Sequence, residues 1–259
     1  MMILNDKVAV VTGASQGLGR GFAEILLENG AKVALLDLNE TLGREVQAHF
    51  NEIYGSDRTQ FYPCDVASDE LFKDAFQKVL HKFGRVDVFC NNAGILNEKD
   101  WEKTVSINLS GVVRGTYLAM DHMKKQNGGQ GGVIINVASM AGLGPLPGAP
   151  IYTATKHGVV GFSRALAETS NIADYGVRIN ALCPGFVRTA LLNSFQTDEK
   201  AMLESIMEKA KFLEVEDVAK AFLLLVKDES LNGAVLVVAS AGTAFMSFPT
   251  ELPRTPVTL

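Results

Sequence analysis

A glycine-rich segment near the start of the chain follows directly on a short apolar run. Residues 8–11 read Val-Ala-Val-Val, and residues 12–19 place glycine at positions 13, 17 and 19. An apolar run without polar alternation is typical of a parallel strand that is buried on both faces. A helical pattern then ends at Asn29 and Gly30, and a second apolar run ends at Asp37. This order predicts a strand–helix–strand unit of the kind that binds a dinucleotide.

The glycine loop and Asp37 together favour one cofactor. Glycines allow backbone N–H groups to approach a pyrophosphate, and the N-terminus of the following helix carries a partial positive charge. An acidic residue about 20 positions further on accepts hydrogen bonds from an adenosine ribose and repels the 2′-phosphate of NADP. We therefore predict NAD as the cofactor. The alternatives are a simple tight turn for the loop and, for Asp37, an N-cap of the next helix.

Further strand-like segments alternate with helical patterns along the rest of the chain. They span residues 59–66, 86–90, 133–138, 177–183 and 234–238. This alternation predicts an α/β fold with a seven-stranded, doubly wound parallel sheet and helices on both faces. The length of 259 residues suits a single domain. We place the domain at residues 1–240 and treat residues 241–259 as a C-terminal tail.

Tyr152 and Lys156 are four positions apart in a segment with a helical pattern, so their side chains are expected on one helix face. A free phenol has a pKa of about 10, and a neighbouring ammonium group is expected to lower it. Such a pair suits proton transfer to or from an alcohol or carbonyl oxygen. Ser139 follows a buried strand and could hold the same oxygen by a hydrogen bond. The same spacing also occurs on many ordinary helix surfaces. The predicted cofactor site is what favours a catalytic role for this pair.

Six motifs of the chain occur in the order and spacing of the short-chain dehydrogenase/reductase family, which the chain resembles over roughly residues 5 to 240. They are Thr12-Gly13-Ala14-Ser15-Gln16-Gly17-Leu18-Gly19, Asn91-Asn92-Ala93-Gly94, Asn108, Ser139, Tyr152-x-x-x-Lys156 and Pro184-Gly185. The resemblance implies a single-domain Rossmann fold and oxidation of a secondary alcohol to a ketone with NAD. It also implies a homodimer, in which the two long helices of residues 101–123 and the Tyr152 segment pair with their copies.

The resemblance assigns roles to individual residues. It implies a catalytic set of Ser139, Tyr152, Lys156 and Asn108, with Asn108 bending its helix and holding a water near Lys156. Asp65 and Val66 would flank the adenine, and Val187 and Thr189 would lie at the nicotinamide. The residues that correspond to cofactor contacts are Gly13, Ser15, Gln16, Gly17, Leu18, Gly19, Asp37, Leu38, Cys64, Asp65, Val66, Asn92, Tyr152, Lys156, Val187 and Thr189.

The substrate also follows from the resemblance. Residues 97–104 and 125–129 look like those of family members that oxidise the 15-hydroxyl of prostaglandins and related hydroxy fatty acids. Those members carry a glutamine three residues before the catalytic tyrosine, where this chain has Ala149, and a serine where it has Ala138. The expected substrate contacts are therefore Ser139, Ala149 and Tyr152, with an altered selectivity at Ala149. A steroid or another small alcohol is the alternative substrate.

An amphipathic segment follows the predicted nicotinamide loop. Residues 190–212 carry apolar side chains among charges, including Leu191, Leu192 and Phe195. We interpret this segment as a lid over a lipid substrate, the alternative being an ordinary packed helix. The tail contains Pro249, Pro253 and Pro256 without periodicity, and we expect it to be mobile or to cover the substrate mouth.

Composition excludes several other classes of protein. The net charge is −5 and no basic block is present, which argues against nucleic acid as a partner. The three cysteines are isolated, as expected for buried thiols in a reducing compartment, and the four histidines lack metal-ligand spacing. We find no signal peptide and no apolar run long enough for a membrane span, so we expect a cytoplasmic enzyme. A non-catalytic NAD-binding regulatory protein is the rival from another class, but it would have no need of all three catalytic side chains.

Overall fold

The fold is built on one twisted sheet of eight strands. The computed structural model describes residues 1–193 and 196–249. Strand order across the sheet is β3-β2-β1-β4-β5-β6-β7-β8. The strands are β1 Val8–Thr12, β2 Lys32–Asp37, β3 Thr59–Pro63, β4 Val88–Asn91, β5 Gly132–Val137, β6 Val177–Pro184, β7 Val235–Ala239 and β8 Gly242–Phe245.

The first seven strands are parallel, as predicted, and β8 is added at one edge in the antiparallel direction. Its register pairs Val237 with Ala244 and Val238 with Thr243. Strand β8 was not predicted from the sequence, because its four residues are all exposed and form no buried apolar run. Pro253 and Pro256 of the predicted tail lie outside the described residues.

Helices cover both faces of the sheet. They are α1 Gly17–Glu28, α2 Glu40–Tyr54, α3 Asp69–Phe83, α4 Trp101–Val105, α5 Val112–Met123, α6 Pro150–Ile172, α7 Lys200–Lys209 and α8 Val215–Lys227. On one face α1 and α8 pack through stacked rings of Phe22 and Phe222, whose centroids are 4.4 Å apart. On the other face Phe72 and Phe76 of α3 pack against Phe89 of β4. The core therefore lies in two layers, one on each side of the sheet.

The helix predicted over residues 101–123 is interrupted by a π-helical segment, Ser106–Gly111, between α4 and α5. Asn108 lies within this segment and is fully buried. Single π-helical turns inside a helix are frequent at functional sites. The segment contains Asn108, the residue at which the resemblance implied a bend of the helix.

The predicted lid contains a short 3-10 turn, Ala190–Asn193, and the amphipathic helix α7. Leu203 of α7 is buried against the rest of the domain. Phe195, which the sequence analysis counted among the lid's apolar side chains, lies outside the described residues.

None of the described helices is long and apolar enough to cross a membrane. The described residues also contain no cluster of three metal-ligating side chains. Cys64, Cys90 and Cys183 are free and buried, and burial raises the pKa of the Cys64 thiol to about 12.

Candidate active site

A cavity of about 1280 Å³ opens along the carboxyl ends of the parallel strands. Ligands bind at this edge in open α/β sheets. Most of the predicted site residues line the cavity. These are Gly13, Gln16, Gly17, Leu18, Asp37, Leu38, Cys64, Asp65, Val66, Asn92, Ser139, Tyr152, Lys156, Val187 and Thr189. Ser15, Gly19, Asn108 and Ala149 do not line it.

The glycine loop connects β1 to α1 with a backbone that only glycine accommodates easily. Gly13 has φ +63°, and a Cβ atom there would lie 2.9 Å from the Cα atom of Ala93. A Cβ atom at Gly19 would lie 2.1 Å from the carbonyl oxygen of Gly13. Gly19 therefore lies on the protein side of the loop, where the lack of a side chain allows α1 to start close to Gly13. For this reason it does not line the cavity.

Asn91 and Asn92 support the loop from β4. The Asn92 amide donates to the carbonyl oxygens of Thr12 and Gly13, at 2.9 and 3.2 Å. The Thr12 hydroxyl in turn accepts the backbone N–H of Asn92 at 3.0 Å. The Asn91 amide donates to the Asn136 side chain of the neighbouring strand at 2.8 Å, which links β4 to β5.

Asp37 closes β2 beside the loop. Its carboxylate accepts the backbone N–H groups of Ser15 and Asn39, each at 2.9 Å. The N-cap of α2 is Asn39, which accepts the N–H of Leu42, so Asp37 does not fill the alternative role of helix cap. The Ser15 hydroxyl is buried and has no hydrogen-bond partner among the described residues. A buried hydroxyl without a partner is uncommon, and it fits a site for a polar ligand group.

The next pocket wall comes from the end of β3. Cys64 and Val66 are buried and Asp65 lines the cavity between them. The Asp65 carboxylate accepts the N–H of Ala67 at 2.9 Å, whereas the cap of α3 is Ser68. Asp65 therefore stays beside the cavity instead of capping the helix.

The three catalytic candidates meet at the end of β5. The Ser139 hydroxyl follows β5 and accepts the N–H of Ala141 at 3.1 Å. Tyr152 and Lys156 lie in the first two turns of α6, with the Lys156 ammonium 5.5 Å from the centre of the Tyr152 ring. The Lys156 ammonium donates to the carbonyl oxygen of Val137 at 2.9 Å. The predicted arrangement of serine, tyrosine and lysine around one point is therefore present.

The prediction that Lys156 lowers the pKa of Tyr152 is wrong for the polypeptide alone. Burial raises the pKa of Tyr152 to about 12, and a hydrogen bond with the Ser139 side chain opposes this rise. Burial also lowers the pKa of Lys156 to about 8. Both shifts have one cause, since a charged group loses water when it is buried. Tyr152 is therefore a neutral phenol at neutral pH, and its ionisation needs a further positive charge nearby.

Asn108 lies behind the cavity wall. Its side chain accepts the N–H of Ile95 and donates to the carbonyl oxygen of the same residue, each at 2.8 Å. A Cβ atom at Gly94 would lie 3.3 Å from the Asn108 oxygen and 3.7 Å from the Lys156 ammonium. Asn108 thus reaches the region of Lys156 from the protein side, and its part in a proton relay stays a prediction.

Val187 and Thr189 lie on the loop after β6. Val187 forms an isolated bridge with Leu213, at the end of the lid. A Cβ atom at Gly17 would lie 3.3 Å from the Thr189 side chain, so this loop comes close to the glycine loop. The loop after β6 therefore connects the predicted phosphate site with the predicted lid.

Ala149 is placed differently from its predicted role. It is fully buried, outside the cavity lining, in an apolar cluster with Leu96, Tyr152 and Leu203. Helix α7 of the predicted lid supplies Leu203 to this cluster and so packs near Ala149. The structure does not bring the Ala149 side chain to the cavity, and its contact with substrate stays a prediction.

Sequence reasoning missed several wall residues. Ile107 of the π-helical segment and Met246 of the tail both line the cavity, as do Lys209 and Lys211 of the lid. The predicted bend of the helix at Asn108 was a signal that its neighbour Ile107 could lie at the site. The two lysines were visible as charges of the lid, but only the fold shows that they lie at the cavity.

Comparison with known proteins identifies the family. A family model described as short chain dehydrogenase matches residues 7–200, and the chain belongs to this family. The human 15-hydroxyprostaglandin dehydrogenase [NAD(+)] is 46% identical over 258 residues, which cover 96% of this chain and 97% of that protein.

Solved structures agree with this membership. Levodione reductase superposes with a TM-score of 0.82 at 28% identity, covering 92% of this chain and 98% of that one. A short chain dehydrogenase/reductase from Burkholderia phymatum in complex with NAD has a TM-score of 0.79 at 28% identity, covering 88% and 89%.

Proposed function

We propose that this protein oxidises a secondary alcohol to a ketone with NAD⁺, and that its substrates are 15-hydroxyprostaglandins and related hydroxy fatty acids. One observation carries the proposal: Ser139, Tyr152 and Lys156 meet at the same cavity as the glycine loop and Asp37. The close similarity to the human NAD-dependent 15-hydroxyprostaglandin dehydrogenase supports both the cofactor and the substrate class.

NAD fits the residues at the loop end of the cavity. Gly19 leaves room for the carbonyl group of Gly13, so the loop can keep the backbone conformation that would bind a pyrophosphate. The Ser15 hydroxyl of the same loop has no hydrogen-bond partner among the described residues. The Asp37 carboxylate is the acceptor for a ribose hydroxyl. The cavity of about 1280 Å³ exceeds the volume of roughly 300–1,000 Å³ that is usual for one small ligand. This size supports a site that holds a cofactor and a substrate together.

The chain's own residues handle the proton. Ser139 donates a hydrogen bond to the substrate oxygen and holds it beside Tyr152. Tyr152 removes the hydroxyl proton as phenolate, a form that the positive charge of bound NAD⁺ would favour in addition to the charge of Lys156. Lys156 also binds the nicotinamide ribose. Asn108 holds a water molecule near Lys156, through which the proton passes on. NAD⁺, when bound, accepts the hydride from the substrate carbon.

An apolar wall supports a lipid substrate. Leu143 and Leu146 follow Ser139, and Leu191, Leu192 and Ile206 come from the lid; all five line the cavity. A steroid would fit the same apolar wall, so a substrate panel is needed. We propose residues 1–240 as one NAD-binding domain, residues 190–212 as its lid and residues 241–259 as a tail whose Met246 reaches the substrate mouth.

We also propose a cytoplasmic homodimer. Tyr117 of α5 is 49% exposed and packs edge-on against Phe162 of α6, which leaves an apolar outer surface on these two helices. Exposed aromatic side chains of this kind are typical of subunit interfaces. Light scattering at micromolar concentration is expected to give the mass of a dimer, and a monomeric mass would contradict this part of the proposal.

The experiment for the proposed activity follows NADH absorbance with purified protein, prostaglandin E2 and NAD⁺. Parallel reactions contain NADP⁺ or a steroid alcohol. We expect NADH formation with prostaglandin E2 and NAD⁺, and almost none with the Tyr152→Phe variant. Turnover of the steroid alone would favour the alternative substrate. Equal cellular effects of wild type and Tyr152→Phe would favour a regulatory protein without catalysis.

A further inference from the structure

Two lysines line the cavity on its lid side. Lys209 ends α7 and Lys211 follows it, and both are exposed. Neither forms an ion pair with a carboxylate among the described residues. By contrast Arg188, on the loop after β6, pairs with Glu214 at 3.0 Å. The cavity rim therefore carries two positive charges that the described part of the chain leaves without a carboxylate partner.

The two lysines lie where the carboxylate of a hydroxy fatty acid is expected. Its hydroxyl-bearing carbon must reach Ser139 and Tyr152, which are inside the cavity, while its apolar body can pack along the lid leucines. Burying a carboxylate without a partner is costly, so the acid group should stay at a wet rim. A lysine ammonium on its flexible four-carbon stem can meet it there. The carboxylates of the lining, Asp37 and Asp65, lie at the ends of β2 and β3 instead.

We propose that Lys209 and Lys211 form a binding site for the carboxylate of the substrate. This inference rests on the proposed function and narrows it: the enzyme selects hydroxy acids over their esters and over neutral alcohols such as steroids. The lysines bind the acid group and take no part in the chemistry at Tyr152.

The test compares prostaglandin E2 with its methyl ester in the wild type and in a Lys209→Gln, Lys211→Gln double variant. The ester keeps the hydroxyl and the apolar body and removes only the charge. We expect kcat/KM for the acid to fall about tenfold, the scale of two exposed ion pairs, while kcat/KM for the ester changes less than about twofold. Lys220→Gln on α8 is the matched control, because Lys220 is exposed and does not line the cavity.

Other results would contradict the carboxylate site or the proposed function, and each can be told apart. An equal fall for acid and ester, or no fall for either, would overturn the carboxylate site. A raised KM for NAD⁺ in the double variant would assign the lysines to the cofactor phosphates and would also overturn it. If the wild type oxidises neither probe, the proposed function fails. Calorimetric binding of palmitate and methyl palmitate then decides the site alone: weaker binding of palmitate to the double variant supports the site, and unchanged binding overturns it.

Glu98 contacts the N-terminus of α6, independently of the two lysines. Its carboxylate accepts the backbone N–H groups of Ile151 and Tyr152, each at 2.9 Å. The N-cap residue of this helix, Ala149, has no side chain that can cap it. Glu98, from the loop before α4, therefore satisfies two free N–H groups at the helix N-terminus, where a negative charge is favourable.

The same residue contacts the lid. The backbone N–H of Glu98 donates to the carbonyl oxygen of Gln196 at 2.7 Å. Next to it, the hydroxyl of Thr197 donates to the carbonyl oxygen of Gly148 at 2.8 Å. The start of the lid helix and the turn that carries Tyr152 are thus joined through one loop. We infer that Glu98 is a positioning residue, which sets the orientation of Tyr152 when the lid segment is docked.

Glu98→Ala tests this role, with the exposed Glu102→Gln on α4 as control. Small displacements of a reacting group are costly, so we expect kcat to fall at least about tenfold while KM for NAD⁺ is unchanged. Added formate, which can occupy the space of the lost carboxylate, is expected to restore part of kcat. A kcat equal to that of the wild type would overturn the role. A loss that formate does not relieve, and that matches a loss of folded protein by circular dichroism, would assign Glu98 to folding alone.

Discussion

Lys156→Met should make the protein more stable near neutral pH while it removes activity. Lys156 is 4% exposed, and burial lowers the pKa of its ammonium from 10.5 to about 8. Near pH 7 the group is charged both in the native and in the unfolded chain, so the native state carries the full cost of burying the charge. One pKa unit corresponds to about 1.4 kcal/mol, which makes this cost about 3 kcal/mol.

One contact opposes the gain. The Lys156 ammonium donates to the carbonyl oxygen of Val137 at 2.9 Å, and losing this donor costs about 1 kcal/mol. The expected net increase in the free energy of unfolding is therefore about 2 kcal/mol near pH 7. Between pH 8 and 10.5 the unfolded wild-type chain binds more protons than the native one, so wild-type stability rises with pH in this window. The advantage of the variant should shrink to nearly zero near pH 9.5.

Urea unfolding followed by circular dichroism at the two pH values measures this difference. Lys220→Met, at an exposed position of α8, is the control for replacing a lysine by an apolar residue. NADH formation by Lys156→Met should fall at least about a hundredfold. A variant that is less stable than the wild type near pH 7, or whose advantage is the same near pH 9.5, would refute the account of a buried ammonium held at a cost in stability.

Three further substitutions have definite expected outcomes. Tyr152→Phe removes the proton acceptor and should lower kcat about 10²- to 10⁴-fold with KM for NAD⁺ little changed, as NADH absorbance will measure. Gly19→Ala places a Cβ atom 2.1 Å from the carbonyl oxygen of Gly13, so fluorescence titration with NADH should give a dissociation constant raised at least about tenfold. Phe222→Ala removes a fully buried ring that stacks on Phe22 and should lower the free energy of unfolding by about 3–5 kcal/mol in urea.

The sheet was largely predictable because its strands are buried on both faces. Residues 33–36 form a continuous apolar run between Lys32 and Asp37, and β2 spans Lys32–Asp37. The same logic failed for β8, since an exposed edge strand has no apolar run and depends on pairing with β7. Local pattern identifies strands that are held by burial and misses those that are held by backbone pairing alone.

Most residues that line the candidate site could be predicted from the sequence, whereas the pKa values of Tyr152 and Lys156 could not. Spacing and resemblance brought Ser139, Tyr152 and Lys156 together, but the effect of burial on both pKa values needs the surroundings of each group. Ala149 illustrates another limit. Its position next to the catalytic turn is clear from the sequence, whereas its burial in an apolar cluster with Leu203 depends on how the lid packs.

The central claim is that hydride passes from the alcohol carbon of the substrate to NAD⁺ while Tyr152 takes the hydroxyl proton. Prostaglandin E2 with deuterium at the 15-carbon, incubated with the enzyme and NAD⁺, tests it directly by mass spectrometry of the cofactor. The account predicts reduced cofactor that carries one deuterium, together with the 15-ketone, and neither product with Tyr152→Phe. Reduced cofactor without deuterium, or unchanged prostaglandin beside a protein that still binds NAD⁺, would contradict the claim.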